Sequence, residues 1–308
     1  LNQGTKQGAK PFLKWVGGKT QLLPELEMRL PKDFVKTVRV YAEPFVGGGA
    51  LLFHLLSKGL RPERVIINDS NPDLANAYRV VQSNAAELIS ELEHLQSEYR
   101  ERDETSRREF FLAIREAYNR SVSNREANPV RRTAQFLFLN RTCFNGLYRV
   151  NAKGEFNVPF GRYANPRICD PQTILEDSQA LSKVEILSGD FADSLSGADK
   201  SWFVYFDPPY RPLSSTSSFC DYTQSGFDDE EQKRLGTVCR KLDYAGVRWL
   251  LSNSDPKETN PNDPFFDMLY EGFDIRRVWA SRMLNANPEK RGKLGELLIS
   301  NYTDGETI

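Results

Sequence analysis

The sequence predicts an α/β fold: a doubly wound, mostly parallel sheet closed by an antiparallel C-terminal strand pair, with a helical and loop-rich insertion. Three observations predict it. Residues 38–43, the helically spaced Ala50, Leu51, Leu52 and Leu55, and residues 64–68 read as strand, helix and strand, the βαβ unit of a parallel sheet. Five further strand-length apolar runs begin after residue 180. Between the two sets, residues 85–120 carry Glu- and Arg-rich helical patterning without strand signals.

Taken in order, the first strand runs into Pro44-Phe45-Val46 and three glycines, Gly47 to Gly49, and the second ends at Asp69. Asp73 precedes an amphipathic stretch and is the expected helix start. A helix over 85–109 holds eight acids and four arginines, a composition that would keep it off a polyanion. Residues 141–163 form a loop rich in Asn, Gly and aromatics. Strands are then expected at 184–187, 202–206, 247–251, 273–279 and 294–302, the last two antiparallel. The expected domains are a core of residues 1–84 and 170–308 and a helical insertion of 85–169. No internal repeat or low-complexity tract interrupts them.

Composition narrows the function. The 308 residues carry 41 Lys+Arg against 42 Asp+Glu, so on average the chain is not one that coats nucleic acid or anionic membranes. The longest apolar runs, such as 136–139, are far short of a membrane span. The polar first ten residues lack the apolar stretch of a secretory signal, so a cytoplasmic protein is expected. Cys143, Cys169, Cys220 and Cys239 are 26, 51 and 19 residues apart, none of them a zinc spacing, and read as reduced thiols. His54 and His94 are too isolated to build a metal site and read as structural.

Three constellations carry chemistry. Glycines past a strand let the backbone approach a ligand at a helix N-terminus. Gly47 to Gly49 are not GxGxxG, but Asp69, 22 residues after Gly47, stands where a carboxylate holds a ribose hydroxyl pair. The second is Asp207-Pro208-Pro209-Tyr210, following five apolar residues. Two prolines remove two backbone donors, so a carboxylate and a carbonyl form an acceptor-only pair suited to an amino group. Accepting from both N–H groups of a conjugated exocyclic amine favours its pyramidal, nucleophilic form, and the neighbouring ring can stack on a planar base. The third is the basic stretch 130–168. Seven Lys/Arg against the single acid Glu155 give it +6 and leave −7 for the remainder. Cations among Asn and aromatics suit phosphate contacts, base-edge readout and wedging between bases.

Together, the segments Phe12-Leu-Lys-Trp15-Val-Gly-Gly-Lys19, Glu43 to Gly49, Asn140 to Tyr163, Asp207 to Tyr210 and Pro212 to Phe219 closely resemble the Dam-type DNA adenine-N6 methyltransferases. The resemblance spans about Phe12 to Tyr302, in the motif order of the alpha group of amino-methyltransferases. It implies a Rossmann-like methyltransferase sheet, S-adenosylmethionine as donor with S-adenosylhomocysteine as product, no metal, and double-stranded DNA with a GATC target. No membrane and no obligate protein partner are implied. Trp15, Lys19, Glu43, Pro44, Phe45, Gly47, Gly49, Asp69, Asp190, Phe191 and Asp207 would border the cofactor. Asp207 to Tyr210 would hold the flipped adenine, with Tyr210 stacked on it. Arg149 would read guanine, Leu147 and Pro159 would meet thymine, and Lys14 would touch the first base pair. Phe144, where relatives carry Tyr, keeps a wedging ring and loses a hydroxyl. Asn145 would lie near the vacated pairing position, and Arg141, Asn151, Asn157 and Arg162 would complete the DNA-binding set.

Other readings are weaker. Gly17-Gly18-Lys19-Thr20 looks like the end of a phosphate loop, but GxxxxGK[ST] needs glycine where Leu13 stands. Amine targets in RNA or at cytosine N4, or a DNA-binding module with a decayed site, remain formally open; the Asp-led tetrad, Asp69 and the basic insertion favour adenine in DNA.

Overall fold

A computed structural model describes residues 8–121, 128–211, 227–281 and 293–303. The segment 212–219 and Cys220 lie outside the described residues. Seven strands, β1 (Val40–Glu43), β2 (Arg64–Asp69), β3 (Val184–Ser188), β4 (Trp202–Phe206), β5 (Arg248–Ser254), β6 (Asp274–Ser281) and β7 (Lys293–Ser300), form one sheet in the order β3-β2-β1-β4-β5-β7-β6. β2, β1, β4 and β5 run parallel. β7 is antiparallel to both β5 and β6, which it separates. The expected closing pair is therefore present, with its second strand inserted into the sheet rather than added at the edge.

The helices are α1 (Leu23–Met28), α2 (Phe34–Thr37), α3 (Ala50–Ser57), α4 (Pro72–Ser83), α5 (Ala85–Arg100), α6 (Glu104–Arg120), α7 (Pro129–Thr142), α8 (Pro171–Leu181), α9 (Asp229–Tyr244) and α10 (Phe265–Leu269). Their starts follow local chemistry. Proline opens α4, α7 and α8, where its missing N–H is no loss. The side chains of Asn71, Asp103, Asn128, Asp170 and Asp228 accept from first-turn N–H groups. Two expectations are corrected here. Asn71, not Asp73, caps α4, because Pro72 already occupies the first helical position. The helix expected over 85–109 is two helices, broken at 101–103, where Asp103 caps α6.

The chain forms two compact units. The first comprises Leu1–Gly18, Gly47–Leu60 and Asp69–Ser188. Its interior gathers Leu74, Tyr78, Leu88, Leu92, Phe136 and Phe138, with edge-on aromatic pairs Tyr99–Phe138 and Phe110–Phe138. The second comprises Lys19–Val46, Arg61–Asn68 and Gly189–Ile308. Val204, Phe206, Trp249, Leu251, Leu297 and Ile299 lie in its core. No helix among the described residues is long and apolar enough to cross a membrane.

One buried acid in the first unit predicts a pH effect. Asp177 of α8 is fully buried, accepts the Lys10 N–H at 3.0 Å on Oδ1, and has no partner on Oδ2 among the described residues. Burial pushes its carboxyl up to about 8, against the Lys10 hydrogen bond. The unfolded chain loses this proton near the ordinary carboxylate value, so the folded state holds more protons between about pH 4 and 8. Stability from this group is complete below that window and is lost as pH rises through it. Asp177→Asn should flatten that fall when unfolding midpoints are followed from pH 5 to 9; parallel profiles would refute it.

Candidate active site

In the second unit, β1 and β4 are adjacent parallel strands, with Val40 opposite Trp202 and Ala42 opposite Val204. The strand order reverses between them, and ligands of open α/β sheets bind beyond strand ends at such a switch point. Glu43 ends β1 and Asp207 follows β4, so the two motifs emerge side by side. Asp207 Oδ1 takes two donors, Lys19 Nζ at 2.8 Å and Ser252 Oγ at 3.0 Å. Burial pushes the Asp207 carboxyl up, while Lys19 and Ser252 pull it back. Lys19 is itself buried, and its ammonium lies 4.3 Å from the Tyr210 ring centroid. The Tyr210 hydroxyl donates to Glu296. Burial, then the charges of Asp207 and Glu296, hold that phenol well above its ordinary value, so it remains a donor. Gln232 Nε2 donates to the Pro209 carbonyl at 3.1 Å.

The rest of this unit's predicted set is close-packed. Glu43 is buried and accepts from the Tyr41 hydroxyl. Asn68 Nδ2 bridges the carbonyls of Pro44 and Gly189 at 3.0 and 3.1 Å, tying the end of β1 to the Asp190-Phe191 turn. Phe45 is half-buried against Phe191 at 5.0 Å and edge-on to Phe227 at 5.4 Å. Arg234 pairs with Asp190 and covers the Phe191 ring at 4.5 Å. That hydrogen bond holds the Asp190 carboxyl below its ordinary value.

In the first unit, Asp69 accepts from Gly47 N–H at 3.1 Å and Asn71 N–H at 2.8 Å. Burial nevertheless pushes its carboxyl up to about 6. These glycines are expected to make room for a ligand; in the structure the room is taken by the protein's own side chains. A Cβ on Gly47 would meet the Trp15 ring at 3.0 Å, and one on Gly49 the Tyr78 hydroxyl at 2.6 Å. Gly49 sits at φ +68°, a left-handed conformation that favours glycine. Trp15 is stacked on Tyr148 at 5.6 Å.

The basic stretch folds back on itself through antiparallel bridges Cys143–Phe160 and Val150–Phe156. Phe144 is 50% exposed. Asn145, also exposed, sits at φ 55°, a region asparagine tolerates better than most residues. Arg149 is exposed, with Nε held by Asn157 Oδ1 at 2.7 Å. Pro159 and Arg162 are exposed and Leu147 half-buried. Asn140 is buried; it donates to the carbonyls of Lys14 and Gly146 and accepts the Lys14 N–H, fixing an exposed Lys14 beside the turn at 144–146. Arg141 donates to the Phe12 carbonyl and lines a cavity of about 270 Å³ with Lys14, Tyr163 and Arg167.

Residues 15–284 match the family described as D12 class N6 adenine-specific DNA methyltransferase. The chain belongs to this family. It is 50% identical over 295 residues to the type II methyltransferase M.MjaIII of Methanocaldococcus jannaschii, covering 95% of this chain and 99% of that one. It is 40% identical to the type II methyltransferase M1.LlaDCHI of Lactococcus lactis, over 98% and 99% of the two chains. It is 34% identical to the DNA adenine methylase of Haemophilus influenzae, over 94% and 92%. The chain is thus an N6 adenine-specific DNA methyltransferase, and the sheet described above is its Rossmann-like α/β core.

For such an enzyme the structure sorts the predicted residues. Lys19, Asp207 and Tyr210 form one cluster, as do Phe45, Asp190 and Phe191 with Phe227 and Arg234. Gly47 and Asp69 meet directly, and Trp15 packs on the glycine turn. Lys19, a phosphate-loop lysine in the weaker alternative, is engaged with Asp207. Asn151 closes a tight turn, donating to Glu155 and accepting from the N–H groups of Lys153 and Glu155. The sum of +6 overstates the exposed charge, because Arg132 is internal: its side chain is 3% exposed and paired with Asp73. Sequence reasoning missed Asn68, Asn140, Arg234, Ser252 and Glu296. Only Glu296 left a local signal, an acid inside the apolar strand run LGELLIS. No group of three or more metal-ligating side chains is assembled among the described residues.

Proposed function

We propose that the enzyme methylates N6 of an adenine flipped out of double-stranded DNA within GATC, with S-adenosylmethionine as donor. The observation that carries the amine chemistry is the geometry at Asp207, while the GATC target is what the resemblance of residues 140–163 implies. Among the described residues the donors Lys19 and Ser252 both converge on Oδ1, and Oδ2 is proposed to accept from the target amine. The Pro209 carbonyl already accepts from Gln232, and the Pro208 carbonyl is proposed as the second acceptor. An amine held by two acceptors keeps its lone pair for attack, and Tyr210 stacks on the base. Positioning and electrostatics then supply most of the catalysis.

The residues suit the donor. Asp69, held by backbone N–H groups at the end of β2, has lone pairs left for a ribose diol. The half-buried Phe45 beside Phe191 and Phe227 offers an aromatic surface for a planar base. Trp15, Lys19, Glu43 to Gly49 and Asp190 complete the proposed cofactor set. Bound S-adenosylmethionine would supply an electrophilic sulfonium methyl group and its own leaving group. A metal-free reaction is part of the proposal. We further propose that residues 85–169 form the recognition insertion, with 1–84 and 170–308 carrying the methyl-transfer site.

The test is methylation of a random-sequence duplex by the purified enzyme, reading which adenines carry N6-methyl groups. Methylation confined to GATC supports the proposal; confinement to another sequence removes the target while leaving the activity. In the same assay Arg149→Ala should lose about 1–3 kcal/mol of discrimination at the guanine position. A uniform loss on all sequences would make Arg149 a phosphate contact instead.

A further inference from the structure

The cluster at the DPPY motif contains an acid with no role so far. Glu296 lies in the middle of β7, opposite Ser254 of β5 and Val278 of β6. Pairing on both sides holds its backbone within the sheet. The residue is 5% exposed, and a glutamate is rarely so buried unless a partner holds it. Its partner is the Tyr210 hydroxyl. Burial pushes the Glu296 carboxyl up, while Lys19 and the Tyr210 hydrogen bond pull it back.

Tyr210, by contrast, lies in irregular chain four residues beyond β4. Pro208 and Pro209 set its backbone but leave the ring free to turn about χ1 and χ2. Among the described residues, two contacts hold that ring: the Lys19 ammonium against its face and Glu296 at its hydroxyl. Lys19 is shared with Asp207, so the hydroxyl bond is the contact that belongs to the ring alone.

We propose that Glu296 is a positioning residue for methyl transfer: through the Tyr210 hydroxyl it sets the plane of the ring on which the target adenine stacks. It touches neither base nor cofactor in this role. The inference rests on Tyr210 being the stacking ring.

Glu296→Ala should lower the single-turnover methylation rate about tenfold, the loss typical when a charge-assisted hydrogen bond is deleted, with KM for DNA within about twofold. Glu296→Gln, which still offers an acceptor, should restore most of the rate. Tyr210→Phe deletes the same bond from the other end and should show the same loss. Combining Glu296→Ala with Tyr210→Phe should then add less than about twofold, as for two halves of one interaction. Equal losses in the Gln and Ala variants would mean that charge matters rather than the bond, and would overturn the proposal. So would additive losses, or a wild-type rate in Tyr210→Phe. If Glu296→Ala fails to fold, the Gln and Phe variants decide alone. Tyr210→Ala separates the two levels: a normal rate there removes the stacking assignment itself. A large loss there with Tyr210→Phe unaffected removes only the role of Glu296.

Discussion

Asp207→Ala is expected to lower methyl transfer by about a thousandfold or more while leaving duplex binding within about twofold. The substitution removes the acceptor proposed for the target amine. It also leaves Lys19 Nζ, now 2.8 Å from that carboxylate, as a buried ammonium beside Tyr210 and Glu296. The residues proposed to grip DNA lie elsewhere in the chain, at Lys14 and 141–162, and do not depend on this carboxylate for their hydrogen bonds. Single-turnover transfer of labelled methyl groups measures the first quantity and gel retardation the second. An unimpaired rate would end the assignment of Asp207 as the amine's acceptor. The pH profile offers a second readout. Burial raises the Asp207 carboxyl, so the acid limb of the rate should lie above the ordinary carboxylate range and disappear in Asp207→Asn.

The α/β class was legible because its signals are local. WFVYF reads as a buried parallel strand since all five residues are apolar, and each of them is buried in β4. Asp69 and Asp207 stand out as candidates because strand ends mark the ligand side of such a sheet, and Glu43 only through the family resemblance. What escaped depended on partners distant in sequence. Arg234 reaches Asp190 across 44 residues, and Ser252 reaches Asp207 from the neighbouring strand. The insertion of β7 between β5 and β6 is a choice among pairings that no single strand pattern encodes. It is also the choice that brings Glu296 to Tyr210. Helix boundaries failed for a related reason. Asn71 and Asp73 are both good caps, and only the position of Pro72 between them decides which one is used.

The same limit explains the overcounted charge, and it makes the largest stability prediction. By sequence Arg132 belongs to a basic face, yet it fills the interior of the first unit. Its Nε and Nη2 donate to the two oxygens of Asp73 at 2.5 and 2.9 Å, and Nη1 donates to the Tyr118 carbonyl at 2.9 Å. The Tyr118 hydroxyl donates to Asp73 Oδ2 at 2.8 Å, and the guanidinium lies 4.2 Å from the Tyr118 ring centroid. This network fastens the first turn of α4, which adjoins Asp69, to α6 and to α7, which leads into the turn at 144–146. Asp73→Ala would strand a buried guanidinium and should cost about 3–5 kcal/mol. Replacing both partners by apolar residues, Asp73→Leu with Arg132→Met, should recover part of that loss, because no buried charge is left unpaired. Urea unfolding at constant slope measures both; a loss below about 1 kcal/mol in Asp73→Ala would show that the pair is not holding these helices together. A further consequence separates Arg132 from its exposed neighbours. Removing one cation that neutralises a DNA phosphate makes the fall of log K with log salt shallower by about 0.9. Exposed Arg149 and Arg162 are in a position to change that slope, whereas the double apolar replacement at Asp73 and Arg132, once folded, should leave it unchanged.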